Sequence, residues 1–69
     1  MLDQFLSTIE EVQADGAVVL LKWDGQRVAN RYTVVITKSD VDYVWRQDCD
    51  DMAQTLQAAL TDYKKAQGL

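Results

Sequence analysis

The chain has 69 residues and a mass of 7.8 kDa, and its eleven Asp and Glu outweigh seven Lys and Arg to give a net charge of −4. That size allows a single domain, residues 1–69, with a core of the kind that small proteins reinforce with disulfides, a metal or self-association. One cysteine, Cys49, rules out an intrachain disulfide, and the absence of histidine rules out a Ser-His-Asp or Cys-His pair within one chain.

Leu2, Phe5, Leu6, Ile9 and Val12 recur at helical spacing with acids and amides between them, which predicts an amphipathic helix over roughly residues 2–14. Asp15-Gly16 stops it, glycine being suited to the left-handed position after a helix. The polar face of this helix carries no Lys or Arg, against a membrane-surface role.

Residues 17–23 form the one near-continuous apolar run, and residues 32–36 answer it with Tyr-Thr-Val-Val-Ile. Their β-branched and aromatic content and the Asp24-Gly25 pair between them predict a hairpin. A tight type I' turn at Asp24-Gly25 is preferred to a looser loop over residues 24–30. Both faces of the first strand are apolar: Val19, Leu21 and Trp23 point one way, Val18 and Leu20 the other. Either that strand is central and covered on both sides, or one face is presented to a partner.

Lys38-Ser39-Asp40 marks a second turn, and residues 41–46 alternate as a third strand with Val41, Tyr43 and Trp45 on one side. From Asp48 onward the period returns to 3.6, with Met52, Leu56, Ala59, Leu60 and Tyr63 on one face of a helix. Asp48 or Asp50 is its expected N-cap, Lys64 and Lys65 suit the negative end of its dipole, and Gly68 ends it. The expected fold class is α+β: a two-layer α-β-β-β-α chain, a three-stranded antiparallel meander with both helices on one face. That face holds Val19, Leu21, Trp23, Tyr32, Val34 and Ile36; Val18, Leu20, Val35 and Val44 remain on the other.

Chemistry is sparse. Without histidine the commonest general base at neutral pH is missing, and the acids crowding Cys49 disfavour a thiolate. Asp40, Asp42, Asp48, Asp50 and Asp51 lack the glycine and terminal glutamate of an EF-hand loop and read as turn and capping residues. No enzyme, cofactor or metal is therefore expected. No signal-type segment or run of about 20 apolar residues is present either, so the expected location is the cytoplasm.

The charge is uneven. Residues 1–15 carry −4, residues 16–47 carry +2 and the remainder −2. Lys22, Arg31 and Arg46 beside aromatic residues suggest a nucleic-acid-binding face, and the α-β-β-β-α order resembles that of double-stranded-RNA-binding domains. The resemblance implies basic residues at the start of the last helix, where this chain has Asp48, Asp50 and Asp51. The leading expectation is instead a protein-interaction module, self-associating as a homodimer and of the inhibitor, immunity or antitoxin kind that is sometimes encoded by phages or mobile elements. Its expected partner-binding residues are Val18, Leu20, Lys22, Arg31, Val35, Val44, Trp45 and Arg46. Core packing is expected for Trp23, Tyr32 and Tyr63.

Overall fold

The structure, a computed structural model, describes residues 2–69. A 3-10 turn, Leu2–Phe5, leads into helix α1, Leu6–Ala14; strands β1, Val18–Trp23, β2, Tyr32–Lys38, and β3, Tyr43–Cys49, follow; helix α2, Met52–Gln67, closes the chain. The three strands form one antiparallel sheet in the order β1-β2-β3. Helix α1 lies over β1, and α2 lies over β2 and β3. This is the α+β meander with two helices on one face that the periodicities predict.

The core sits between the layers. Val34 and Ile36 of β2 and Leu56, Ala59 and Tyr63 of α2 are fully buried, with Val12 of α1 joining them. Val19, Leu21, Tyr32, Tyr43 and Trp45 pack against this cluster from the same sheet face. Strand β2 is the central one, so its apolar residues are enclosed by neighbours on both sides; β1 is an edge strand, and its second apolar face has no cover among the described residues.

Local chemistry accounts for the ends of the elements. Gly16, at φ 99°, turns the chain out of α1, and Gly68, at φ 73°, ends α2 while the Leu69 N–H donates to the Lys64 carbonyl at 2.8 Å. The cap of α2 is Asp51, whose side chain accepts from the Gln54 N–H at 3.0 Å, rather than Asp48 or Asp50. Asp48 stays in β3 opposite Thr33, and Asp50 accepts from the Asn30 N–H at 2.7 Å. The third strand also begins later than the alternation suggests. Ser39–Val41 wind into a 3-10 turn, Asp42 takes a left-handed conformation at φ 55°, and pairing starts at Tyr43. Asp tolerates that region better than a β-branched residue does.

The largest correction concerns the hairpin. Residues 24–31 form an open loop, not a type I' turn: neither Asp24 nor Gly25 has positive φ, and Asn30 at φ 53° takes the left-handed position. The Asp24 carboxylate accepts from the Gln26 N–H at 3.0 Å and from the Arg27 Nε–H at 3.0 Å, which closes the chain on itself early in the loop.

One junction ties the layers together. The Tyr63 hydroxyl donates to Asp15 Oδ2 at 2.5 Å, and Lys38 Nζ meets the same oxygen at 3.3 Å, joining α2, the end of α1 and the end of β2. Tyr43 donates to Asp62 at 2.6 Å and sets its ring edge-on to Tyr63, centroids 5.2 Å apart. Burial first, and then the adjacent Asp15, push the Tyr63 hydroxyl up to about 12; burial and then Asp62 push Tyr43 upward as well.

A raised phenol pKa contributes stability that is present below the ordinary value of 10.0 and lost as pH climbs through the folded value. In a titration followed at 295 nm, Tyr43 and Tyr63 are expected to stay protonated past pH 10.0 and to ionise together with unfolding. The two sheet faces separate equally clearly. Leu56→Ala should cost about 2–5 kcal/mol in urea denaturation because it opens a cavity. Leu20→Ala should stay within about 0.5 kcal/mol of the parent.

Candidate functional site

The side of the sheet away from the helices is the largest feature the fold leaves open. Register fixes its rows: Val18, Thr37 and Val44; then Leu20, Val35 and Arg46; then Lys22, Thr33 and Asp48. Val18 is 54% exposed, Leu20 59% and Val44 71%. The face is thus graded, apolar at the end near the 3-10 turn and ionic at the end near the 24–31 loop.

That loop supplies the ionic end. Arg27 folds back over the sheet, donating from Nη2 to Thr33 Oγ1 at 3.0 Å and from Nη1 to the Asn30 carbonyl at 2.8 Å, with Nη1 3.2 Å from Asp48 Oδ1. Its guanidinium explains why Thr33 is buried on a face that no helix covers. Thr33 in turn donates to Asp48 at 2.6 Å. That hydroxyl first, and Arg27 next, hold the Asp48 carboxyl below the usual range; the Gln26 N–H and then Arg27 do the same for Asp24.

The basic residues on this side are mostly spoken for. Lys22 lies 3.5 Å from Asp24, and Arg46 lies 3.2 Å from Asp48, so Lys22, Arg27 and Arg46 share two carboxylates. A stripe with one unit of excess charge offers little to a phosphate backbone, whose affinity comes from many released counterions.

Six of the eight residues expected to meet a partner come together here: Val18, Leu20, Lys22, Val35, Val44 and Arg46. Arg31 does not join the strand rows. It stands exposed in the loop and reaches the Gly25 carbonyl at 3.4 Å. Trp45 lies on the other face, opposite Ile36, and packs against the core. The exposed tryptophan is Trp23, at 57%, although core packing is expected of it from the sequence. Trp23 pairs with Tyr32 at the loop end of the sheet, where it meets the start of α2 and keeps more than half of its surface in solvent.

Two residues have roles that the sequence reading misses, Arg27 because it carries no expectation and Trp23 because it is expected in the core. Arg27 organises the loop and closes the ionic end; its spacing from Asp24 hints at the local ion pair, but nothing local announces Asp48. Trp23 could have been found by counting. It directly precedes the loop, whereas Trp45 falls in mid-sheet once β2 and β3 are registered around Lys38–Tyr43.

Cys49 is buried at the end of β3, opposite Tyr32. Among the described residues no three Cys, Asp or Glu side chains converge in a way that could hold a metal ion, and no helix is long and apolar enough to cross a membrane. No family model matches this chain, and no curated protein or solved structure is significantly similar to it.

Carboxylates held low in the fold contribute stability above their unfolded value, near 3.8, that is lost as pH falls through the folded value. Removing the guanidinium in Arg27→Met should therefore lower thermal stability at neutral pH and shrink the difference in melting temperature between pH 7 and pH 3. It should also speed amide exchange at Gln26 and Asn30, whose N–H groups are held by Asp24 and Asp50.

Proposed function

We propose that this protein is a non-enzymatic interaction module that acts by covering a surface of a partner protein, using the open sheet face, and that two copies meet through the same face when no partner is present. One observation carries the reading: Val18 and Leu20 of β1 and Val44 of β3, each more than half exposed, flank Thr37 and Val35 of the central strand on a sheet face with no covering layer among the described residues. Contiguous apolar surface of this kind marks sites of association in soluble proteins.

Size decides how tight the self-association is. Three strands spaced about 4.8 Å apart and six residues rising about 3.4 Å each give a footprint of a few hundred Å². A stable interface typically buries about 800 Å² per partner. The homodimer is accordingly a weak sandwich, and a larger partner surface displaces it. A two-fold arrangement puts the apolar ends together and carries the ionic ends away from each other in opposite directions. The mode of action is occlusion, as in small inhibitors, immunity proteins and antitoxins, in a reducing cytoplasm where Cys49 remains a thiol.

Light scattering over a dilution series from about 1 to 500 µM tests the self-association, with a dimer that dissociates in the micromolar range as the expected result. Leu20→Asp should leave the melting temperature near the parent value and give a monomer throughout. A parent chain that is monomeric at the highest concentration removes the self-association, and a dimer indifferent to Leu20→Asp moves the interface elsewhere.

A further inference from the structure

On the opposite side of the sheet from the open face, a cleft of 590 Å³ lies at the loop end of the helix layer. Trp23 and Tyr32 form two of its walls, Leu2 and Met52 contribute apolar surface, and Asp50 and Asp51 stand at its rim. The two rings are nearly perpendicular, at 78°, with centroids 6.2 Å apart. They make an aromatic corner, and Trp23 keeps more than half of its surface in solvent. An exposed tryptophan beside a tyrosine offers an apolar face with a polar tip, the kind of side chain enriched at interfaces.

The acids sharpen the reading. Asp50 commits Oδ1 to the Asn30 N–H at 2.7 Å, and Asp51 commits Oδ1 to the Gln54 N–H at 3.0 Å. The second oxygen of each is left with acceptor capacity, and no Lys or Arg lines the cleft. The N-terminus of α2 contributes only about half a positive charge, which two carboxylates outweigh. The cleft therefore rejects anions and favours a cation that also presents a flat or apolar body to the rings.

We infer that this cleft binds an arginine side chain of a partner protein, the guanidinium stacking in the Trp23–Tyr32 corner and donating to Asp50 and Asp51. A guanidinium fits better than an ammonium on two counts. It is planar and weakly hydrated, so it stacks on aromatic faces, and its fork of N–H donors can serve two carboxylates at once. The methylene stem then lies against Leu2 and Met52. The inference is independent of the open face, since the cleft is on the other side of the sheet.

The test is an NMR titration of the full chain with the peptide acetyl-Gly-Arg-Gly-amide, and with the same peptide carrying citrulline or lysine in place of arginine. Saturable shifts are expected at the Trp23 indole N–H and the amides of residues 50–53, with a Kd of order millimolar and the Trp45 indole signal unmoved. Citrulline and lysine should each weaken binding at least about tenfold, as should Asp50→Asn combined with Asp51→Asn. Asparagine keeps the acceptor oxygen that each backbone N–H uses, so that variant retains the loop tie and the helix cap while losing the charge. Trp23→Leu, at an exposed position, should abolish the response without unfolding the chain. Absence of a saturable shift at Trp23 overturns the site. Equal binding of the citrulline peptide overturns its cation preference, and equal binding of the lysine peptide overturns the guanidinium assignment.

Discussion

Two helices can cover one face of a three-stranded sheet and no more, and the rest of this molecule is arranged around that limit. Helix α2 spends its apolar side on β2 and β3, and α1 spends its own on β1. Between them they enclose Val12, Val34, Ile36, Leu56, Ala59 and Tyr63. With the apolar stripes of both helices used, the second side of the sheet has to manage with what the strands and the loop provide. At the ionic end it does so with Arg27, which substitutes for a missing layer over Thr33. At the apolar end no described residue takes that part.

The junction at Asp15 shows how so small a core holds its helices in place. A single carboxylate oxygen receives the Tyr63 hydroxyl and faces the Lys38 ammonium, so the end of α1, the end of β2 and the last turns of α2 converge on one atom. Partly buried hydrogen bonds of this type add modest net stability and cost more to break from one side, because the buried Tyr63 hydroxyl would lose its partner. The surface pair between Lys64 and Glu11, 3.1 Å apart, links the same two helices in solvent, where such pairs contribute little. Their orientation therefore rests on packing and on the Asp15 junction.

The parts of the fold that depend on period and on chain-local chemistry were legible in the sequence. The 3.6-residue repeat marks α1 and α2, although Leu2–Phe5 wind as a 3-10 turn and the first α-helix starts only at Leu6; β1 and β2 read as strands, and Gly16 and Gly68 stop their helices as glycine after a helix usually does. What stayed illegible depended on residues far apart in the chain. Asp24-Gly25 has the form of a tight turn, but Arg27 draws the loop open by reaching Thr33 and Asp48, and a local signal yields to a tertiary one. Asp42 delays β3 by adopting a left-handed conformation, which moves the start of pairing to Tyr43. Alternation with Val44 and Arg46 puts Trp45 beneath the helices, while Trp23 at the far end of β1 meets only the start of α2 and stays more than half exposed. Six members of the open face could be named in advance because alternation needs no register; the aromatic cleft could not, because it is assembled from Leu2, both sides of the hairpin and the start of α2.

The outer edge of β1 bears on how the protein behaves in concentrated solution. The Asp24 N–H donates to the Arg31 carbonyl, so by alternation the even-numbered residues of β1 face β2, and the backbone groups of Val19, Leu21 and Trp23 point away from the sheet. No proline or bulge guards that edge, and its one charged side chain, Lys22, comes near the end of the strand. Colloidal protection is left to the net charge of −4, which vanishes near the sequence pI of 4.4. Near that pH the long-range repulsion between molecules is at its weakest. An unguarded strand edge and an uncovered apolar face then meet other copies with little charge to hold them apart.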